Sequence, residues 1–95
     1  MPTTQIVITR LKDIGSRDHF LDLTRDMLAW LEQQPGFLDY ALYENGIDFS
    51  DTLVYRSDAD ASRINEDFGK TETYRAMIQL VEPGYRGFFG RQVIL

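Results

Sequence analysis

Acid–base chemistry near neutral pH requires a side chain that titrates there, and His19 is the one histidine of this chain. An unperturbed imidazole has a pKa of ~6.5, so it can accept or donate a proton under physiological conditions. His19 falls in the first turn of a predicted helix, where a solvated histidine is also common. It is therefore a candidate general base, and the alternative is an ordinary surface residue.

Tyr55 is the second candidate for catalysis. It lies in the segment TLVYRS, residues 52–57, which predicts a β-strand, and strand alternation places its ring on the same face as Leu53. A buried tyrosine usually packs its ring and finds one partner for its hydroxyl. We therefore keep two hypotheses, a hydroxyl that serves a ligand and an ordinary core tyrosine.

Three aromatic side chains occupy the apolar sides of the predicted helices, namely Trp30, Phe68 and Tyr74. Ligand pockets are lined mainly by such residues, so all three are candidate substrate contacts. An apolar helix face also packs into a core without any ligand. The sequence leaves both possibilities open.

Metal chemistry is not expected. The chain has no cysteine, which excludes disulfides, thiolate metal sites and a cysteine nucleophile. Four aspartates occur between residues 48 and 60, but without a neighbouring histidine we assign them to loops and helix caps: Asp48, Asp51, Asp58 and Asp60. We predict that the protein binds no metal, haem or flavin.

Composition restricts the class of protein and of partner. The 95 residues, 43% of them hydrophobic, suit one globular domain spanning residues 1–95. Apolar runs are too short for a membrane span, and no secretory leader is recognisable, so we expect a cytoplasmic protein without membrane partners. The net charge of −5 disfavours nucleic acid. The stretch 86–94, RGFFGRQVI, resembles an RNA-binding signature, but Phe89 occupies a position that requires Gly or Ala.

Four strands are predicted from β-branched and aromatic runs, at residues 4–12, 37–44, 52–57 and 87–95. Residues 45–51, which begin with Asn45-Gly46, form the predicted hairpin connection between the second and third strands. One helix lies between strands one and two, and another between strands three and four.

The helix ends are indicated by capping residues. Ser16 is the predicted N-cap of helix one, which Pro35-Gly36 terminates. Asp58 or Asp60 is the predicted cap of helix two. Gly69 interrupts that helix, and Thr71 can cap its continuation.

The order βαββαβ predicts the ferredoxin-like α+β fold, a four-stranded antiparallel sheet with both helices on one face. The strands nevertheless carry apolar side chains on both faces. In strand two, one face has Leu38, Tyr40 and Leu42, and the other has Phe37, Ala41 and Tyr43. Because helices cover only one face, we predict a homodimer that packs sheet against sheet.

The whole pattern resembles the antibiotic biosynthesis monooxygenase family of dimeric α+β barrel proteins. The resemblance extends from Ile6 to Ile94 and is carried by QPGF between helix one and strand two, by LVYRS, and by KTETYRAM in helix two. Tyr55 stands where the family usually has Trp, and Arg56 stands where it has an acidic residue. The haem-degrading branch uses an Asn and a His where this chain has Thr9 and Ile78, so haem ligation is not implied.

The resemblance implies a small hydrophobic pocket between sheet and helices, in which related enzymes oxidise phenolic or polycyclic aromatic substrates with O2 and without metal or flavin. Thr9 and Ile78 match pocket positions of that family. We expect a cavity of roughly a few hundred Å3 beneath Tyr55, with the Tyr55 hydroxyl directed at a ligand and Thr9 beside it. The predicted function is a cofactor-independent monooxygenase or related tailoring enzyme for a small aromatic, quinol-like substrate. The alternative is a non-catalytic dimeric barrel that binds a small hydrophobic ligand or serves as an interaction module.

Overall fold

A computed structural model describes all 95 residues and confirms the ferredoxin-like fold. The strands are β1 Thr3–Arg10, β2 Phe37–Asn45, β3 Asp48–Tyr55 and β4 Arg86–Gly90, and the helices are α1 Arg17–Leu31, α2 Asp58–Phe68 and α3 Glu72–Leu80. The sheet is antiparallel throughout, in the order β2-β3-β1-β4. The helices lie against one face, which we call the inner face, and the opposite face is the outer face.

The predicted second helix is present as two helices, α2 and α3. They are separated at Gly69, and the Thr71 hydroxyl accepts a hydrogen bond from the Tyr74 amide at 3.1 Å. Both the interruption and the Thr71 cap were predicted. None of the helices combines the length and the apolar character that a membrane-spanning helix needs.

The other two capping predictions differ in outcome, and the one for α2 was wrong. Ser16 is the N-cap residue of α1, as predicted, but its side chain makes no capping hydrogen bond. Asp13 caps the preceding short 3-10 turn, Ile14–Ser16, by accepting from the Gly15 amide. At α2 the cap is Ser57, whose hydroxyl accepts from the Asp60 amide at 3.1 Å. Ser57 has the extended backbone that an N-cap requires, whereas Asp58 and Asp60 are already inside the helix.

The hairpin between β2 and β3 is tighter than predicted. Gly46 adopts a φ of 62° and turns the chain within two residues, so β3 begins at Asp48, four residues earlier than expected. This extension buries Phe49 in the core and moves Asp51 from the predicted loop into the middle of a strand. The reassignment of Asp51 determines much of the site described below.

Strand four is shorter than predicted, because its neighbour ends. β1 begins at Thr3, and Gly90 already pairs with Thr4, so residues 92–95 lie beyond the end of β1 and have no strand residue to pair with. Val93, Ile94 and Leu95 are exposed.

Two residues at the start of β2 depart from the predicted alternation. Leu38, predicted to share a face with Tyr40 and Leu42, is 55% exposed, and Phe37 lies on the opposite face from that predicted. A bulge between Phe37 and Asp39 shifts the β2 register, and Phe37 therefore packs on the inner face, with its ring 6.3 Å from that of Tyr55. Tyr40 and Leu42 also face the helices, whereas Tyr43 is exposed on the outer face.

The outer face is partly apolar and no segment of the chain covers it. Phe88 is 63% exposed and pairs with Ile6 of β1, and Ile8 is 53% exposed. Val54 and Thr52 of β3 continue the same surface.

Candidate active site

A cavity of about 130 Å3 lies between the inner face of the sheet and the three helices. Thirteen of its 17 lining residues are aliphatic or aromatic, and the other four are Gln5, Thr9, Asp51 and Asn65. The cavity is at the predicted place, but it is smaller than the few hundred Å3 expected from the sequence.

Most of the predicted site residues lie together in this cavity. Its lining includes Thr9, Tyr55, Phe68, Tyr74 and Ile78. Trp30 is not part of the lining. Its ring packs behind the wall, 5.4 Å from the ring of Phe68.

His19 is exposed near the start of α1 and does not line the cavity. The apolar face of α1 that reaches the cavity consists of Phe20, Met27 and Leu31. The first candidate for a general base therefore lies away from any place where a substrate could be enclosed.

Tyr55 is almost completely buried, at 1% exposure, and its hydroxyl is already occupied. It donates to Gln5 Oε1 at 2.6 Å and accepts from Asn65 Nδ2 at 3.2 Å. Burial raises the pKa of Tyr55 to about 12, so the phenol stays protonated at neutral pH. The expectation that this hydroxyl points to a ligand is wrong: its ring forms cavity wall, while its oxygen belongs to an internal network.

Thr9 is not beside Tyr55, as had been expected. In the β1–β3 register, Tyr55 pairs with Thr3, whereas Thr9 pairs with Phe49, six residues further along the strand. Thr9 and Tyr55 therefore border opposite ends of the cavity, roughly 20 Å apart along the sheet.

Gln5 and Asn65 complete the network around the Tyr55 hydroxyl. Gln5 Nε2 donates to Asn65 Oδ1 at 3.0 Å, and Asn65 Nδ2 donates to Gln5 Oε1 at 3.0 Å and to the Ala61 carbonyl at 2.9 Å. We call Gln5, Tyr55 and Asn65 the closed polar end of the cavity. Because these groups satisfy one another, they fix α2 against the sheet.

Asp51 is the functional candidate that the sequence did not reveal. It is 7% exposed, and it projects from the middle of β3 into the cavity. The Tyr40 hydroxyl donates to its Oδ2 at 2.6 Å, while Oδ1 accepts no hydrogen bond from the protein. No Arg, Lys or His pairs with this carboxylate.

Burial raises the pKa of Asp51 to about 6, while the hydrogen bond from Tyr40 opposes that rise. The carboxylate is therefore mostly ionised at pH 7, yet much more basic than an ordinary aspartate. Burial and the Asp51 charge also raise the pKa of Tyr40, which stays a proton donor. An ionised carboxylate with a free oxygen in an apolar cavity is suited to remove a proton from a substrate.

A signal for Asp51 was present in the sequence. It lies in phase with Phe49, Leu53 and Tyr55, which are all buried along the inner face of β3. A charged residue within an apolar period-two stripe is a candidate functional group. The signal was missed because residues 48–51 were assigned to the hairpin loop.

Thr9 supplies a second polar group of the cavity that is free to bind a ligand. Its Oγ1 is the one buried side-chain polar atom of the chain without a hydrogen-bond partner. Asp51 pairs with Val7, so Thr9 is a diagonal neighbour of Asp51 on the inner face, at a spacing of roughly 7–8 Å. The other diagonal neighbour, Gln5, is bound to Asn65 and Tyr55. We call Asp51 and Thr9 the open polar end.

Two tyrosines border the open side of the cavity. The hydroxyls of Tyr74 on α3 and Tyr85, just before β4, lie 3.2 Å apart. The Tyr74 ring also packs edge-on against Phe68 at 5.8 Å. Tyr85 is 45% exposed, so this pair connects the cavity wall with the surface.

The described side chains form no metal-binding group. No three His, Cys, Asp or Glu side chains come together in an arrangement that could hold a metal ion. Asp51 is the one carboxylate in the cavity lining.

Several solved structures share this fold. The cofactor-independent oxygenase SnoaB from Streptomyces nogalater superposes with a TM-score of 0.83 and 15% identity, covering 98% of this chain and 96% of that one. An antibiotic biosynthesis monooxygenase has a TM-score of 0.76 and 16% identity, covering 97% and 99%. A dimeric ferredoxin-like protein from an uncultured marine organism has a TM-score of 0.76 and 12% identity, covering 99% and 90%.

No protein-family sequence model matches this chain, and no curated protein matches it. The resemblance to the antibiotic biosynthesis monooxygenases is therefore confirmed at the level of the fold, over nearly the full length of the chain. Fold similarity at such low identity does not establish activity, which has to be argued from the cavity.

Proposed function

We propose that this protein is an oxygenase of the antibiotic biosynthesis monooxygenase type, acting on a small phenolic or quinol-like substrate with O2. The observation that carries the proposal is the free Oδ1 of Asp51, an ionised carboxylate oxygen inside an apolar cavity. The solved oxygenase with the same fold, SnoaB, supports the same kind of chemistry.

The chemistry begins with a proton transfer to Asp51. A phenol that loses its proton becomes electron-rich and can itself donate electrons to O2. In the overall reaction, the substrate gives up two hydrogens, one oxygen atom of O2 enters the substrate, and the other leaves as water. The protein has to supply a base, an apolar enclosure and an orientation for the ring.

Tyr40 holds the base in place. Its hydroxyl donates to Asp51 Oδ2, which leaves Oδ1 directed away from that bond and available to the substrate. The aromatic wall formed by Phe68 and Tyr74 offers stacking surface for a ring. In this scheme Tyr55 is a wall residue, because its hydroxyl is bound to Gln5 and Asn65.

Oxygen consumption tests this proposal. We expect Asp51→Asn to lower O2 uptake with a monocyclic or naphthalene hydroquinone by about 10²–10⁴-fold, the usual contribution of a general base. The control is Asp26→Asn, which neutralises an exposed aspartate of α1 that has no hydrogen-bond or ion-pair partner. Uptake that is absent in the wild type, or unchanged in Asp51→Asn, would overturn the proposal.

A non-catalytic ligand-binding role is the alternative, and the occupied Tyr55 hydroxyl favours it. In that case aromatic ligands would raise the melting temperature of wild type and of Asp51→Asn alike, without oxygen consumption. The two measurements together separate an enzyme from a binding module.

We also infer that the outer face of the sheet binds a second copy of the chain. The support is its uncovered apolar surface around Ile6, Ile8 and Phe88, and a dimeric protein of the same fold is known. An obligate interface of this kind is expected to bury more than ~1,600 Å2 in total.

Two neighbouring residues of β4 provide a matched test of the dimer. Phe88 lies on the outer face opposite Ile6, whereas Phe89 lies opposite Gln5 on the other side of the strand. We expect Phe88→Asp to weaken the dimer at least ~30-fold, as for an interface residue worth ~2 kcal/mol or more, and Phe89→Asp to leave it intact. Sedimentation equilibrium showing a wild-type monomer at micromolar concentration would contradict the inference.

A further inference from the structure

The open polar end restricts which ring the cavity can accept. Thr9 Oγ1 and Asp51 Oδ1 are both without a partner, and both project from neighbouring strands into a lining that is otherwise apolar or internally bonded. A ligand that engages only one of them leaves the other buried and unpaired, which is costly.

The volume limits the ligand to one ring. The cavity holds about 130 Å3, which is close to the ~150 Å3 of an engineered apolar cavity that binds benzene. A fused ring system would have to extend past the Tyr74–Tyr85 pair into solvent.

We propose that the cavity selects a single aromatic ring with hydroxyls on two adjacent carbons, a catechol, with one hydroxyl donating to Asp51 Oδ1 and the other bonded to Thr9 Oγ1. The proposal names the substrate class of the proposed oxygenase and uses the same cavity. It concerns binding and orientation, and it adds no step to the reaction.

The spacing of the two groups favours adjacent hydroxyls. Thr9 and Asp51 are diagonal neighbours across β1 and β3, at roughly 7–8 Å between backbones and less between side chains. Oxygens on adjacent ring carbons are about one hydrogen-bond length apart, so two hydrogen bonds can span the gap. Oxygens on opposite carbons are about twice as far apart, so a hydroquinone can reach only one of the two groups.

The two groups of the open polar end also differ in how they form hydrogen bonds. Asp51 can only accept while it is ionised, whereas the Thr9 hydroxyl can donate or accept. One hydroxyl of a catechol donates a hydrogen bond to Asp51. The other hydroxyl either accepts a hydrogen bond from the Thr9 hydroxyl or donates one to it. The hydroxyl bound to Asp51 is thereby the one positioned for deprotonation.

Anaerobic calorimetry with three probes, catechol, hydroquinone and phenol, tests the proposal without turnover. We expect wild type to bind catechol about tenfold more tightly than the other two, and Thr9→Val to abolish that preference while phenol affinity stays the same. The control is Thr24→Val, the same change at a buried threonine of α1 whose hydroxyl donates to the Phe20 carbonyl, outside the cavity.

Equal affinity for the three probes, or an equal loss for all three in Thr9→Val, would overturn the inference and would indicate that water fills the Thr9 position. The result is separable from the proposed function. Oxygen uptake with a naphthalene hydroquinone that depends on Asp51, without a catechol preference, would refute the catechol assignment alone. A Thr9-dependent catechol preference without oxygen uptake would refute the oxygenase alone.

Discussion

The two polar ends of the cavity are built from similar side chains but have opposite properties. At the closed end, Gln5, Tyr55 and Asn65 satisfy one another's hydrogen bonds. At the open end, Asp51 keeps one free oxygen and Thr9 has no partner at all. Buried polar groups are normally paired. The closed end therefore contributes to the stability of the fold, whereas the unpaired groups of the open end lower that stability and indicate a function.

The comparison also explains why Tyr55 and Asp51 differ in charge at neutral pH and therefore in role. Tyr55 has a pKa of about 12 and stays neutral. Asp51 has a pKa of about 6 and carries a charge that costs stability at neutral pH. A substitution at each end should therefore move stability and function in opposite directions.

The largest effect is expected for Asp51→Asn, which should stabilise the protein while it lowers activity by about 10²–10⁴-fold. The pKa of Asp51 rises from 3.8 to about 6 on folding, which corresponds to at most about 3 kcal/mol. The cost of burying the charge is fully present above pH 6, and it is relieved as the pH falls toward 4. Urea denaturation from pH 4 to pH 8 should therefore show that the variant gains over wild type only as the pH rises. A loss of stability at pH 8 would mean that the carboxylate stabilises the fold.

Tyr55→Phe should have the reverse effect at the closed end. It removes the two hydrogen bonds of the hydroxyl, the short one to Gln5 and the longer one from Asn65. Neither partner is left unpaired, because Gln5 and Asn65 remain bonded to each other. We expect a loss of about 0.5–1.5 kcal/mol in the free energy of unfolding, and ligand affinity within a few-fold of wild type. An unchanged melting temperature with lost ligand binding would assign Tyr55 to the site instead of the framework.

The smallest effect on stability is expected for Thr9→Val. Replacing a buried hydroxyl that has no partner by a methyl group of similar size should be neutral or should stabilise the protein by up to about 1 kcal/mol. Thermal denaturation of the ligand-free protein measures this, with Thr24→Val as the comparison that loses a real hydrogen bond. Destabilisation by Thr9→Val beyond that of Thr24→Val would show that the Thr9 hydroxyl has a structural partner, such as a bound water.

Part of the lining could be predicted from the sequence, because that part depends on local periodicity and on a family resemblance. Thr9, Phe68, Tyr74 and Ile78 were assigned to a pocket, and they line the cavity. Asp51 was missed because the length of the hairpin turn decides where β3 begins, and Gly46 makes that turn two residues long. His19 was selected for its residue type, which contains no information about where the side chain lies.

The sequence by itself determined the order of the elements, the breaks at Pro35-Gly36 and Gly69, and the alternation that places Leu53 and Tyr55 on one strand face. These follow from steric preferences within a few residues. Only the tertiary structure decided that Tyr55 lies opposite Thr3 while Thr9 lies diagonal to Asp51. Strand register is set by contacts between residues about 50 positions apart. The register leaves the Tyr55 hydroxyl hydrogen-bonded and the Thr9 hydroxyl without a partner.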